Sequence, residues 1–315
     1  MYSLHRELNI ASGSASAFSG NLTMTTINQK GVTHAAVCSR NNLSVVGWDQ
    51  RMEGATQDVI AVIDPSMAED GASEIFLLVM QIYEWNGTTT LHWQQLPKPG
   101  DDDDARYTKG IAVINKYICI GTSSGAILVF IVQQNVIKLE TTLKQHAMGI
   151  VDVTSDRKNT IASASMDGVV IVWDSTLNQV SRIETQLPIN CLAIYDTLIF
   201  TATALGAIFV YSGKKGELLC EIAAHARPIN ALSVAQLTGL LLSVGEDSFA
   251  RIWEVKSISP FDIDCAQSIV VPNVPLTGGL FTDSKGTAFA CTGFDYNSIF
   301  YYKRADSEDG KKKTK

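Results

Sequence analysis

A chain of 315 residues with 46% apolar and 18% charged residues has ample side-chain volume for a core, which excludes a wholly disordered protein. The formal charge of −7 opposes general binding to nucleic acid, where a basic stripe must displace counterions from phosphates. The six cysteines (Cys38, Cys119, Cys191, Cys220, Cys265 and Cys291) lie far apart, with no C-x-x-C pair and no grouping with the five histidines, so neither a disulfide framework nor a zinc site is expected.

Read from the amino end, Met1 to Leu8 lacks the apolar stretch of a signal peptide, and no later run approaches the roughly eighteen apolar residues of a membrane span. These features predict a cytoplasmic protein without a transmembrane segment. Asn21 to Ile27, Thr33 to Cys38 and Leu43 to Trp48 read as strands. Ile75 to Tyr83 reads as one long strand where later segments have two strands and a turn; Asn86-Gly87 then predicts a hairpin leading into a strand over Thr88 to Trp93. Residues 98–105 form an acidic loop in which Asp101 to Asp104 repel one another, without the alternating ligands a calcium loop needs.

From there a repeat sets the pattern. Ile118 to Phe130, Ile161 to Trp173, Leu198 to Tyr211, Leu241 to Trp253 and, more loosely, Ala288 to Tyr301 each read as apolar strand, tight turn and second strand ending in an aromatic. The closing aromatics are 43, 38, 42 and 48 residues apart, room for four short strands per unit. Ser124-Gly125, Asp167-Gly168, Leu205-Gly206 and Asp247-Ser248 hold the turn at one offset from the aromatic. No segment of ten or more residues keeps a capped helical period, so the class is all-β. Residues 305–315, with Lys311, Lys312, Lys313 and Lys315, read as a disordered basic tail.

Two units also carry a histidine upstream of the aromatic. His146, Ser163, Asp167 and Trp173, and likewise His225, Ser243, Asp247 and Trp253, stand at matching offsets. In these residues the chain resembles the WD-repeat family. The resemblance implies a single β-propeller over residues 1–304, seven-bladed by the spacing with six the alternative, irregular in its second blade near 58–97. It implies closure by pairing of N-terminal and C-terminal strands, for which Asn21 to Ile27 is the expected partner of the strand ending near Tyr302. Within each blade the aspartate is expected to accept hydrogen bonds from turn amides and the histidine, and the serine to link histidine to the indole N–H, so that each buried polar group gains a partner.

The function expected of such a chain is a non-catalytic scaffold or adaptor for other proteins, a second copy among them, within cytoplasmic, vesicle-associated or other complexes. The resemblance places Met148, Met166, Arg227, Glu246 and Phe294 at the binding face, residue types that anchor interfaces. One alternative is a substrate receptor of a cullin-based ubiquitin ligase, because Trp48-Asp49-Gln50-Arg51 fits a W-D-x-R pattern in which Arg51 would meet the ligase adaptor. A second is a propeller-hosted hydrolase using serine, histidine and aspartate, which requires an exposed nucleophile and a cleft. No cofactor or metal is implied: His5, His34 and His92 fit no ligand spacing, and Thr277-Gly278-Gly279 lacks the lysine of a phosphate loop.

Overall fold

The computed structural model describes residues 1–10, 20–27, 32–39, 42–49, 56–61, 79–83, 90–96, 105, 107–134 and 136–305. All regular structure among them is strand. In chain order β1 (Tyr2–Asn9) stands apart, and β2 (Thr23–Ile27), β3 (Val32–Ser39), β4 (Asn42–Asp49) and β5 (Thr56–Ala61) form a four-stranded sheet. β6 (Val79–Tyr83) and β7 (Thr90–Gln95) form a two-stranded ladder. The next sheets are β8 (Thr108–Ile114) to β9 (Tyr117–Thr122), β10 (Ile127–Gln133) and β11 (Val136–Leu143), and then β12 (Ile150–Ser155) to β13 (Thr160–Ser165), β14 (Val169–Asp174) and β15 (Gln179–Glu184). They are followed by β16 (Ile189–Tyr195), β17 (Leu198–Thr203), β18 (Ala207–Ser212) and β19 (Leu218–Ala223), and by β20 (Ile229–Ala235), β21 (Leu240–Gly245), β22 (Phe249–Ile258) and β23 (Phe261–Val270). Last come β24 (Leu276–Phe281), β25 (Ala288–Gly293) and β26 (Ser298–Arg304), whose sheet is completed by β1 in the order β1-β26-β25-β24.

The described residues thus hold six complete four-stranded sheets and one pair of strands. The count of seven blades expected from the spacing is not matched by complete sheets, and six is. The pair β6-β7 falls in the stretch expected to be irregular, where β6 covers only the end of the long strand read over Ile75 to Tyr83; Ile75 to Leu78 and the Asn86-Gly87 turn lie outside the described residues.

The N-terminal and C-terminal strands do pair, but a different segment closes the sheet. β1 runs antiparallel to β26, from Tyr2 opposite Arg304 to Asn9 opposite Ser298, whereas β2 pairs with β3 and opens its own sheet. Burial explains the choice: Tyr2, Leu8 and Ile10 are covered, and the Tyr2 hydroxyl donates to the Gly286 carbonyl. The Gln267 side chain holds the strand's first residue from β23, accepting from the Tyr2 amide at 2.7 Å and donating to the Tyr2 carbonyl at 2.8 Å.

Two compact units emerge, one made of Met1–Val62 with Ser233–Lys315 and the other of Ile63–Leu232. In the first, Leu8, Leu22, Val37, Val46 and Trp48 pack with Ala290 and Ile299, and the Trp48 and Tyr301 rings meet edge to face at 5.6 Å. In the second, β12 lies beside both β8 and β16, so the first strands of successive sheets are neighbours. Side chains tie these strands together: Ser155 donates to the Val113 carbonyl at 2.7 Å, Leu192 N–H donates to Asp152 at 2.8 Å, and Asn190 donates to the Ile229 carbonyl at 3.1 Å. Burial then grades across each sheet. Middle strands such as Val169-Val170-Ile171-Val172-Trp173 are fully covered on both faces, which suits their β-branched run, while β15 and β19 are largely exposed.

One irregularity repeats. The register slips between Val129 and Phe130, Val172 and Trp173, Val210 and Tyr211, and Ile252 and Trp253, always at the closing aromatic where the third strand meets the fourth. A bulge at that point raises the local twist and re-aims the aromatic. Here it carries Trp173 into a core with Ile150, Val153, Ile161 and Ile171.

Candidate functional site

The loop entering β12, strand β13, the β13-β14 turn and strand β14 bring His146, Ser163, Asp167 and Trp173 together, with one residue more than the sequence pattern contains. The Trp173 indole N–H donates to Ser163 Oγ at 3.0 Å, and Ser163 Oγ lies 2.7 Å from His146 Nε2. His146 Nδ1 lies 3.0 Å from Ser165 Oγ, and Ser165 donates to the Asp167 carboxylate. The direction of every bond is fixed by its ends, since an indole only donates and a carboxylate only accepts. Ser165 must donate to Asp167, so it accepts from an Nδ1–H on His146. Nε2 is then bare and accepts from Ser163, which accepts from Trp173. A neutral Nδ1–H imidazole is the form that satisfies all five groups.

This corrects the expected direct bond from histidine to aspartate: Ser165 stands between them. Burial lowers the His146 pKa to about 4, opposed by the Asp167 carboxylate and reinforced by Arg182. Burial would raise the Asp167 carboxyl, but donors from Ser165 and the Val169 amide outweigh it and hold it below the ordinary carboxylate range. Because folding depresses the His146 pKa from 6.5 to about 4, the unfolded chain binds the extra proton first. The resulting stability is present above pH 6.5 and is lost as pH falls towards 4, on the order of 3 kcal/mol in all.

The arrangement does not suit nucleophilic catalysis. Ser163 is fully buried and its oxygen is already committed to Trp173 and His146. No substrate carbonyl reaches a nucleophile in that position.

The other units vary the same design. Ser243 accepts from the Trp253 indole at 2.9 Å, and Asp247 accepts from the Phe249 amide at 3.2 Å and from Arg251 at 3.1 Å. His225 is buried near the start of the loop that leads from β19 into β20. Where Ser165 sits in one unit, Thr122 and Thr203 occupy the same place before the turn in its neighbours, donating to the Ala126 carbonyl at 2.8 Å and the Ala207 carbonyl at 3.1 Å. The hydroxyl recurring at this offset in three consecutive turns, Thr122, Ser165 and Thr203, was the signal in the sequence for Ser165.

Around these chains the tight turns and the loops entering the first strands form a continuous rim in the unit Ile63–Leu232. Ser123 N–H donates to the Tyr107 carbonyl at 2.9 Å, and a Cβ on Gly125 would lie 2.6 Å from the Met148 carbonyl. Met166 N–H donates to the Gly149 carbonyl at 2.9 Å, Thr185 N–H to Gly168 at 3.0 Å, and Ala204 N–H to Pro188 at 3.3 Å. Gly206 lies against the carbonyls of His225 and Arg227. The rim exposes one large apolar side chain after another: Tyr107 at 46%, Met148 at 48%, Met166 at 55% and Leu205 at 71%. Arg227 is exposed on it as well. Glu246, half-buried, and Phe294, exposed, occupy the corresponding β21-β22 and β25-β26 turns of the other unit. Tyr107 and Leu205 were not anticipated. Leu205 could have been, because it stands where Asp167 and Asp247 stand in their turns.

The family model described as WDR54 matches residues 76–305. The chain belongs to the WDR54 family. Human WD repeat-containing protein 54 is 32% identical over 238 residues, covering 70% of each chain, and the mouse protein is 29% identical over 240 residues, covering 71% of each. The fold agrees: the WD40 β-propeller domain of Doa1 superposes with a TM-score of 0.66 at 14% identity over 98% of both chains. A chain of a mitotic checkpoint complex does so with 0.75 at 16% identity, over 96% of this chain and 92% of that one. The molecule is therefore an all-β WD-repeat propeller of the WDR54 family.

Other features read from the sequence take their places around this frame. Trp48 is 3% exposed, and Arg51 lies outside the described residues, so the ligase-adaptor motif has only its first two positions, Trp48 and Asp49, in view. Asp101 to Asp104 and residues 306–315 also lie outside them. Among the described residues no group of three metal-ligating side chains occurs, and no helix is long and apolar enough to cross a membrane. Cys119, Cys191 and Cys291 are buried, and burial pushes each thiol well above its ordinary value, to about 12 for Cys119, which suits apolar packing rather than thiolate chemistry. Asp152 was not anticipated. Half-buried on β12, it has a carboxyl raised to about 6 by burial against the pull of the Leu192 and Val153 amides.

Proposed function

We propose that this chain is a non-catalytic scaffold that holds partner proteins on its turn face, with Met148, Met166 and Arg227 among the contacts and Glu246 and Phe294 serving the same role in the other unit. WD-repeat propellers act in general as protein-interaction scaffolds, and one fold neighbour comes from a multi-protein assembly. The observation that carries the reading is the unbroken rim from Tyr107 to Arg227. Its apolar side chains stand in water although the same sheets bury their middle strands completely. Rigid strands hold these turns in fixed positions, the arrangement in which a surface can be varied without disturbing the core.

Site-specific photo-crosslinking tests it. A benzophenone side chain at position 166 or 205 should capture a small set of defined proteins in cells. The same group at position 180 or 218, on the exposed outer strands β15 and β19, should not. Equal capture from both places, or capture from the outer strands alone, would contradict the proposal.

A further inference from the structure

Resting on the turn rim as a binding face, we infer that its occupant is an acidic peptide segment carrying apolar side chains. The first ground is Leu205. In the turns of β13-β14 and β21-β22 the residue at this offset is an aspartate whose carboxylate caps an amide two residues on, Val169 at 3.1 Å and Phe249 at 3.2 Å. A leucine cannot make that bond, so the Ala207 amide donates instead to Thr203 Oγ1 at 3.1 Å, and the Leu205 side chain, 71% exposed, adds nothing to the turn. What it supplies is an apolar contact in line with Met148 and Met166, whose Sδ lies 3.4 Å from a Cβ built on Gly149.

The second ground is charge. Ser124 and Leu205 also remove a carboxylate from two of the three tight turns on this rim, in a chain whose net charge is −7. Lys144, Arg182 and Arg227 are exposed at its margin, and Lys109 lies close enough to Asp152 to lower its pKa. Three carboxylates among the described residues are engaged by donors of their own: Glu184 by Arg182 at 3.3 Å, Asp167 by Ser165 and the Val169 amide, Asp152 by the Leu192 amide. Among the described residues neither Lys144 nor Arg227 has an ion-pair partner. Apolar anchors bordered by cations of unspent charge select a ligand that is apolar and anionic together.

Three fluorescein-labelled peptides test this by anisotropy: Asp-Glu-Leu-Asp-Glu-Phe-Asp-Glu-Leu, the same peptide with its acids replaced by lysine, and the same peptide with its apolar residues replaced by serine. The first should bind saturably and weaken as salt is raised; the other two should not bind. Leu205→Asp restores the turn aspartate, so its thermal midpoint should equal or exceed that of the parent, while its affinity falls by about tenfold or more. Arg227→Glu should weaken binding to a similar degree. Failure of the first peptide to bind, binding indifferent to both substitutions, or preference for the lysine peptide overturns the inference. The crosslinking pattern then decides separately whether the rim is a binding face at all.

Discussion

Replacing Trp173 with alanine should destabilise the protein by about 3–5 kcal/mol and lower its thermal midpoint by roughly ten degrees. Among the described residues Trp173 is the largest of the fully buried side chains, and it packs in one cluster with Ile150, Val153, Ile161 and Ile171. Its removal opens a cavity between two sheets and withdraws the donor that begins the hydrogen-bond chain to Asp167. Trp173→Phe leaves a smaller cavity while still removing the N–H, so it should cost less, about 2 kcal/mol. Urea denaturation of both variants is the measurement. A midpoint unchanged in the alanine variant would mean that Trp173 does not join the sheets.

The second large effect lies at a turn. Gly206 holds φ at +86°, and a Cβ built there would sit 2.1 Å from the His225 carbonyl oxygen and 2.9 Å from that of Arg227. Gly206→Ala therefore forces the β17-β18 turn away from the loop entering β20, since both obstacles are backbone. The expected cost is about 2–4 kcal/mol, from the left-handed conformation and the clash together. Gly20 makes the control: its φ is +74°, but a Cβ there meets nothing within 4 Å, so Gly20→Ala should cost only about 1 kcal/mol. Equal midpoints for the two variants in a thermal scan would show that the close approach at Gly206 is not rigid.

Much of the fold was legible because each repeat states itself several times. The turn at a fixed offset, the β-branched run after it and the closing aromatic agree in four consecutive units, and β9-β10, β13-β14, β17-β18 and β21-β22 all form there. The closing strand was not legible for a physical reason. Tyr2 to Asn9 buries only its ends, Tyr2 and Leu8, with exposed residues between, so it lacks the alternation that marks a strand. What places it is long-range: Gln267 clasping Tyr2, and ring contact of Tyr2 with Phe289 at 5.3 Å.

The site divides in the same way. His146, Ser163, Asp167 and Trp173 could be found by offset alone, because a shared chemistry demands those types at those places. Ser165 was passed over because a pattern of family positions does not say which donor completes the chain. Counting donors and acceptors does: an imidazole between two hydroxyls needs the second hydroxyl to reach the carboxylate. Tyr107 carries no periodic signal, since a surface residue leaves no trace in the spacing of core residues, whereas Leu205 shows itself only as a departure from aspartate at the turn offset.

The claim that these polar groups pin the sheets, and perform no chemistry, rests on the state of one imidazole. Nitrogen-15 correlation spectra of His146 across pH 3 to 8 test it most directly. The structure requires a neutral ring with its proton on Nδ1 from pH 8 downward, titrating at a pKa of about 4. A ring that titrates near 6.5, or carries its proton on Nε2 at neutral pH, would contradict it.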